Sequence, residues 1–472
     1  MLALISAFVW TVFTFVFGAS IFLRKPVVFY LVKWVIPAEI LENPFGKAAI
    51  LWVSYQTTGV WFSIFALNIL VSYLCFPLLS LVIAVSTILF GVVFSFLYPT
   101  YYQRKGLEAS RKLLRIEDFP SEIVEEKVPQ KHVIPNVPYR SIPPKGACVT
   151  TCLQMILAYF GKEYDSTYLN GVTGWFFGYT YLPPIKFAGA ITEPHSGLLF
   201  ASPFLGMTGK FYSSDSWNEY KQAMKYYISK KMPILLPIDA AVLYKEEIIE
   251  GWAPHGVVLV GYDEEDRKAY YWEPNEIFFE KYGRKYIPVD MEKIKAALEG
   301  FGGVGGLAMR TYNMMIFEPG EGEEKNVKEV LKRNGELLIG QKGAPFAFTG
   351  SYGIRKFAKE IGRGFGIKDA TILSKKLLSM VPYVLDPGVY TREEAANFVL
   401  NVSEDISARK AAELLKKSSE LFTECSEEMK SAIQESQSGV YPKERLSKMK
   451  SIMMRIAIIE QEAGTILMRQ DI

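Results

Sequence analysis

The sequence predicts an α+β domain that lies between an N-terminal transmembrane helical anchor and a C-terminal all-helical domain. Three observations predict this order. Long apolar runs are concentrated in residues 1–103, and strand-like and helix-like segments alternate in residues 132–318. From residue 325 to residue 472, apolar residues recur at helical spacing. A chain of 472 residues is long enough for two or three such domains.

Residues 1–103 are predicted to cross a membrane three times. Residues 2–23 form one apolar run of spanning length. Residues 48–98 contain no Lys, Arg, Asp or Glu and are too long for one span, so we divide this region into spans at 48–70 and 74–99. A cleaved signal peptide is the alternative for the first run, but its basic residues follow the apolar core instead of preceding it.

The distribution of basic residues predicts the orientation. Arg24 and Lys25 follow the first run, and several Lys and Arg residues follow the last one, between 104 and 115. Three spans place both groups on one side, which is the cytoplasm by the positive-inside rule. The protein is therefore predicted to be a multi-pass protein of the cell membrane, with the lipid bilayer as a partner and with everything after residue 104 in the cytoplasm. The segment 27–40 is predicted to be an interfacial helix; if it spanned the membrane, the rest of the chain would face outside.

Two polar segments divide the remaining chain. Residues 104–131 form a charged linker with several prolines, and residues 319–324 form a second linker rich in Gly and Glu. The segment 132–318 between them is the predicted catalytic domain. The helical domain follows at 325–472.

A cysteine is predicted to open a buried helix in the middle domain. Six apolar residues at i, i+3, i+4, i+7, i+8 and i+11 lie on one helical face before the terminating Gly161: Val149, Cys152, Leu153, Ile156, Leu157 and Phe160. Cys148 precedes this face, where free backbone N–H groups and the helix dipole favour a thiolate. Cys148 is therefore a candidate nucleophile; the alternative is a small residue that packs as a hydrophobe. Cys152 lies within the face and is predicted to be core.

A histidine and a carboxylate follow at matching ends of a predicted hairpin. Residues 255–263 and 269–275 are rich in β-forming residues and flank a charged turn, which predicts two antiparallel strands. His255 begins the first strand and Glu273 ends the second, so pairing would bring them to one end of the sheet. Cysteine, histidine and an orienting polar group form an acyl-transfer triad. Asn275 is the alternative orienting residue.

Four further residues are candidate substrate contacts. Asp239 ends a predicted buried strand at 232–239, where it either caps a turn or lines the cleft. A glycine-containing aromatic loop with Trp175 and Tyr179 either lines an acceptor pocket or is structural. His195 lies in a predicted loop and faces solvent or substrate.

Composition excludes several classes of function. A net charge of +3 gives no overall attraction to nucleic acid. Four cysteines are too few and too scattered for a disulfide framework. Only three histidines are present and there is no CxxC pair, so the sequence predicts no metal site. The predicted chemistry needs no metal and no organic cofactor.

Three sets of residues resemble the butirosin-biosynthesis-protein-H-like family. They are the cysteine segment 147–161, the aromatic run 171–181, and the strand segments 233–239 and 255–263. With the helical region that follows, the resemblance covers residues 133–429. This family is related to papain-like cysteine enzymes, including the double-glycine leader peptidases. Its named member moves an acyl group from a carrier-protein thioester to an amine.

The resemblance implies a papain-like fold for the middle domain and a role for each candidate residue. Cys148 would carry the acyl group, His255 would act as the base, and Glu273 would orient the histidine. An acyl-carrier protein is the donor-bearing partner that the resemblance implies. Two positions differ from the relatives: Ile142 stands where papain-like peptidases place an oxyanion-binding Gln, and Glu273 stands where relatives more often have Asp or Asn.

The leading prediction is therefore a membrane-anchored, cysteine-dependent acyl-transfer enzyme. The thiolate of Cys148 would attack a thioester or amide, and the acyl group would pass to an amine or to water. One alternative is a papain-like peptidase of the leader-peptidase type. The other is a catalytically silent, membrane-tethered scaffold that binds peptide or lipid head groups.

Overall fold

The structure is a computed structural model, and it describes residues 12–20, 28, 44–74, 115–143, 147–183, 186–190, 194–244, 254–276, 286–305, 311–320, 327–340, 348–381, 384 and 386–469. The chain divides into two compact units. One comprises Met1–Arg111 with Val304–Met309, and the other comprises Lys112–Gly303 with Arg310–Ile472.

The smaller unit contains the long helix α1 (Pro44–Leu74) and a helical segment at residues 12–20. Aromatic side chains join them, because the ring of Phe65 lies 5.1 Å from that of Phe17 and 5.3 Å from that of Phe13. None of the helices in the described ranges is both long enough and apolar enough to cross a membrane.

The three predicted spans differ in how much of each the structure describes. The span predicted at 48–70 lies inside α1 and is not supported. The span at 2–23 is described only over 12–20, and the span at 74–99 lies outside the described residues beyond Leu74.

The larger unit is built on two sheets. Its strands are β1 (Ile116–Glu117), β2 (Lys131–Val133), β3 (Thr180–Leu182), β4 (Phe187–Gly189), β5 (Met207–Ser214), β6 (Ile234–Asp239), β7 (Pro254–Asp263), β8 (Lys268–Trp272), β9 (Ile287–Asp290), β10 (Tyr312–Pro319) and β11 (Phe348–Thr349). The main sheet has the order β1-β5-β10-β6-β7-β8-β9, and β2 also pairs with β7. The order of the second sheet is β11-β3-β4. Every pair is antiparallel except β1 with β5.

Helices surround both sheets. Those before β11 are α2 (Ser121–Glu125), α3 (Cys148–Tyr159), α4 (Ser166–Val172), α5 (Pro194–Ala201), α6 (Trp217–Ser229), α7 (Ala240–Leu243), α8 (Met291–Gly305) and α9 (Val327–Ile339). Those after it are α10 (Gly350–Ile361), α11 (Ala370–Leu378), α12 (Asp386–Val402), α13 (Ile406–Gln437) and α14 (Lys443–Arg469). The predicted helices at 148–160 and in the C-terminal region are confirmed, and the fold is α+β.

The C-terminal helices share a core with the α/β part. Tyr179 and Tyr181 next to and within β3 are buried in one cluster with Phe357 of α10 and with apolar residues of α13 and α14. Strand β11 from the C-terminal part pairs with β3. The helical region therefore stabilises the α/β part directly by burying apolar surface.

A buried ion pair connects the same regions. Arg392 of α12 and Glu460 of α14 are fully buried, and Nε of Arg392 lies 2.6 Å from Oε1 of Glu460. The guanidinium also donates to the carbonyl oxygens of Phe176 at 2.7 Å and Gly178 at 3.0 Å. The hydroxyl of Ser418 donates to Glu460 as well. Satisfying these donors and acceptors offsets the cost of burying two charges.

Candidate active site

Cys148 occupies the first position of α3. Thr150 and Thr151 both donate their hydroxyls to the carbonyl oxygen of Ala147, at 3.0 and 2.9 Å, and this holds the start of the helix. The N-cap residue, Ala147, has no side chain that could cap the first-turn N–H groups. The apolar face predicted from the sequence is buried except for Phe160, which is partly buried, and Cys148 itself is partly exposed. Cys148 thus lies at the positive end of a helix.

His255 and Glu273 meet at one end of the hairpin formed by β7 and β8. The Nε2 atom of His255 lies 2.7 Å from Oε1 of Glu273. His255 also shares a hydrogen bond with Cys148, and because Nε2 is held by the carboxylate, Nδ1 is the ring nitrogen left for the thiol. The three side chains form a continuous chain of thiol, imidazole and carboxylate. The predicted hairpin is confirmed.

A β-bulge places the histidine and the glutamate on the same face of the sheet. The pairing of β7 with β8 shifts by one residue between Leu259 and Gly261. Beyond the shift Val258 pairs with Trp272, so the next residue, Glu273, comes opposite position 257, two residues from His255. Residues two apart on a strand share a face. Without the bulge Glu273 would point to the other face.

Gly256 permits the close approach of β7 to the start of α3. A Cβ atom at this position would lie 3.0 Å from Cγ1 and 3.5 Å from Cα of Val149. The backbone N–H of Gly256 donates to the sulfur of Cys148. A larger residue would push the helix away from the strand that carries His255.

The electrostatics of the pair favour the charged forms of both groups. Burial raises the pKa of the Cys148 thiol, but the charge and the hydrogen bond of His255 and the N–H of Gly256 outweigh it, so this pKa lies below its ordinary value. Burial lowers the pKa of His255, but Glu273 and Cys148 outweigh it, so this pKa lies well above its ordinary value. Both shifts favour a thiolate beside an imidazolium, which is the reactive form of a cysteine nucleophile.

The carboxylate that holds His255 is itself fully buried. Oε1 of Glu273 accepts from the backbone N–H of Asn275 at 2.8 Å, and Oε2 accepts from the hydroxyl of Tyr244 at 2.5 Å. Asn275, the alternative orienting residue, thus contacts the glutamate through its main chain. These hydrogen bonds replace the water that a buried carboxylate loses.

The remaining sequence candidates have other surroundings. Oδ1 of Asp239 accepts from the backbone N–H of Ala241 at 2.9 Å, so Asp239 caps α7, one of the two roles left open for it. His195 is buried in α5, and its ring lies edge-on to the rings of Phe211 and Phe301.

The predicted aromatic loop lies next to the helical region. Trp175 begins a single 3₁₀ turn, Trp175–Phe177, and is partly buried. Tyr179 is buried in the core shared with the C-terminal helices, beside Arg392 and Glu460. The acceptor-pocket role of these two residues stays a prediction.

Sequence reasoning missed Gly256, Tyr244 and Tyr271. A glycine inside a buried strand is a sign of close backbone approach, so Gly256 could have been found next to His255. Nothing local marks Tyr244 or Tyr271, because Tyr244 meets Glu273, and Tyr271 meets Tyr244, only in the tertiary fold.

Comparison with known proteins agrees with this geometry. Residues 131–305 match the family model described as the Peptidase_C39 like family. The match covers less than half of the chain, and it contains Cys148, His255 and Glu273. It supports a papain-like domain of the cysteine-peptidase type. No curated protein matches the chain.

Proposed function

We propose that the protein is a cysteine-dependent enzyme that forms a thioester on Cys148 and passes the acyl group to an amine or to water. The observation that carries this proposal is the hydrogen-bonded chain from Cys148 through His255 to Glu273. The match to the C39-like family over residues 131–305 supports it independently.

The proposed reaction has two balanced steps. The thiolate of Cys148 attacks the carbonyl carbon of the donor, and the bond to the leaving thiol or amine breaks as His255 gives that group its proton. An amine or water then attacks the new thioester and loses a proton to His255. Breaking of the thioester bond restores the thiolate.

The oxyanion of each tetrahedral intermediate needs hydrogen-bond donors. The side chain of Ile142 has none, and its backbone N–H donates to the carbonyl oxygen of Pro274 at 2.8 Å. The N–H groups at the start of α3, beside the nucleophile, are the donors we propose for it. A site without a side-chain donor at position 142 suits an activated thioester better than an unactivated amide, so we place acyl transfer from a thioester first. A carrier protein bearing that thioester is the proposed partner.

Peptidase activity is the second candidate, and the C39-like family match favours it. Intact-mass spectrometry separates the two. An acyl adduct on Cys148 that forms with acyl thioesters but not with peptides supports transfer, whereas peptide cleavage that depends on Cys148 would replace it with the peptidase.

Both candidates need an activated thiolate at Cys148. Its presence is tested by alkylation with iodoacetamide at mildly acidic pH, with mass spectrometry of the peptide that contains Cys148 as the readout. We expect fast alkylation of Cys148 that is lost in His255→Ala. If Cys148 reacts no faster than a free model thiol, both enzyme proposals fail and a catalytically silent binding scaffold replaces them.

Membrane attachment through residues 1–103, with the catalytic domain in the cytoplasm, is a separate proposal that rests on the sequence alone. A C-terminal reporter that is active only outside the cytoplasm should stay silent while the chain sediments with membranes. Reporter activity would overturn the orientation, and a chain found only in the soluble fraction would overturn the attachment.

A further inference from the structure

Two buried tyrosines continue the hydrogen-bond chain beyond Glu273. The hydroxyl of Tyr244 lies 2.5 Å from Oε2 of Glu273 and 2.9 Å from the hydroxyl of Tyr271. Both tyrosines are 2% exposed and Glu273 is 0% exposed. The chain therefore runs through the protein interior, where hydrogen bonds are stronger than in water.

The direction of these hydrogen bonds follows from the donors available. An ionised carboxylate only accepts, so Tyr244 must donate its single hydroxyl proton to Glu273. The hydroxyl of Tyr271 must then donate to the oxygen of Tyr244. Burial raises the pKa of Tyr244 far above its ordinary value, so its proton stays in place at neutral pH.

The two oxygens of Glu273 have different surroundings. Oε1 accepts from His255 and from the backbone N–H of Asn275. Oε2 receives the hydroxyl of Tyr244. Since Glu273 is fully buried, the tyrosine hydroxyl takes the place of water at Oε2.

The fold holds Tyr244 firmly in this position. Tyr244 follows α7, and its backbone N–H donates to the carbonyl oxygen of Ala240 at 2.8 Å. Asp239 caps the same helix through Ala241. Gly300 of α8 packs against the cap, since a Cβ atom there would lie 3.0 Å from Cβ of Asp239. Asp239 thus acts on the site through the turn that carries Tyr244.

We infer that Tyr244 is a positioning residue for the proposed reaction, which holds the carboxylate of Glu273 aimed at His255, and that Tyr271 orients the Tyr244 hydroxyl. This inference rests on the proposed function. The turn after β6, which carries Tyr244, would then help to set the pKa values of Cys148 and His255.

The titratable groups that face one another here come from α3, β7, β8 and the turn after α7. They are Cys148, Cys152, Tyr244, His255, Tyr271 and Glu273. Burial raises the pKa of Cys152 well above its ordinary value, so Cys152 stays neutral and adds no charge to the group.

Removing the Tyr244 hydroxyl is expected to move the pH profile of Cys148 upward. In Tyr244→Phe, Oε2 loses this donor, so Glu273 is no longer fixed in its hydrogen bond with His255 and supports the imidazolium less well. The thiolate then has a weaker positive partner, so the pKa of Cys148 rises. A hydrogen bond to a charged group is large enough to shift the acid limb by about one pH unit, which is about a tenfold loss of rate on that limb.

The experiment measures the rate of Cys148 alkylation by iodoacetamide against pH in the full-length chain. Tyr244→Phe should shift the acid limb upward, and Tyr271→Phe should shift it by less in the same direction. Tyr220→Phe is the matched control, because it also removes a buried hydroxyl, one that donates to the carbonyl oxygen of Asn313 at 3.2 Å. Its profile should match that of the unmodified protein.

The outcomes separate this inference from the proposed function. If the unmodified protein has no activated Cys148, the proposed function fails. If Cys148 is activated but Tyr244→Phe keeps the same pH profile, even with a lowered melting temperature, Tyr244 is structural and the inference is overturned.

Discussion

Replacing Glu273 by glutamine removes one negative charge from the buried end of the Cys148–His255–Glu273 chain and keeps the size of the side chain. His255 loses the partner that raises its pKa, while the burial that lowers this pKa remains. The imidazole is therefore expected to become neutral near pH 7. Without an imidazolium beside it, Cys148 should lose its thiolate.

The structure sets the size of this effect. The carboxylate lies 2.7 Å from Nε2 of His255, and the side chains of the two residues are 0% and 9% exposed. A hydrogen bond to a charged group at such a site contributes about 1.5–3 kcal/mol, which is about a 10-fold to 150-fold change in the population of the ion pair. An ordinary thiol is only about 1% ionised near pH 6.5, so the loss in alkylation rate should level off at about 100-fold.

The assay is the second-order rate of Cys148 alkylation by iodoacetamide near pH 6.5. The matched control is Glu264→Gln, which removes a carboxylate at the turn of the same hairpin, where Glu264 pairs with Lys221 at 3.2 Å. The control should react like the unmodified protein. A Glu273→Gln rate within twofold of the control, with the fold intact by circular dichroism, would refute the role of the carboxylate.

Three further outcomes follow from the geometry. Gly256→Val should lower the alkylation rate of Cys148 at least about tenfold by separating β7 from α3. Gly59→Ala should change nothing, because an added Cβ atom would meet no described atom within 4 Å outside its own stretch of helix. Equal rates in both variants would contradict the close-approach argument. Arg392→Met leaves Glu460 buried without its partner and should lower the free energy of unfolding in denaturant by about 3–5 kcal/mol. Replacing both residues by Met should recover most of this loss. A single Arg392→Met variant as stable as the unmodified protein would disprove this prediction. The pKa of the Cys148 thiol is lowered and that of its imidazole partner is raised. Alkylation of Cys148 should therefore already be fast at a pH below the pKa of a free thiol, and it should stay fast as the pH rises through neutrality. A rate that only follows the ordinary thiol titration would contradict the ion pair.

Much of the architecture could be read from local sequence pattern. The apolar spacing after Cys148 predicts α3, and the β-rich runs at 255–263 and 269–275 predict the hairpin because side-chain period depends on secondary structure alone. The helices after residue 325 follow from the same rule. The membrane spans were predicted from hydropathy alone, and hydropathy does not distinguish a buried helix from one that spans a membrane.

The candidate site could be predicted in part. The chain order of Cys148, His255 and Glu273 and their positions at element ends were visible in the sequence. The register shift between β7 and β8 near Val260 was not visible in the sequence, because a bulge depends on how two strands pair. This shift decides whether Glu273 and His255 lie on the same face of the sheet. Gly256 stood beside the histidine, but its contact with Val149 depends on how α3 packs.

The sequence by itself determined which residues could do the chemistry: one cysteine at a helix start, one histidine at a strand start and one glutamate at a strand end. Only the tertiary structure decided how they are held. The bulge places Glu273 on the same face of the sheet as His255. Gly256 allows β7 to approach the helix that begins at Cys148, and Tyr244 supplies a hydrogen bond to the buried carboxylate of Glu273. The physical reason is that secondary structure follows from local spacing, whereas the proton affinities of a buried triad depend on groups that are distant in the chain and meet only in the folded core.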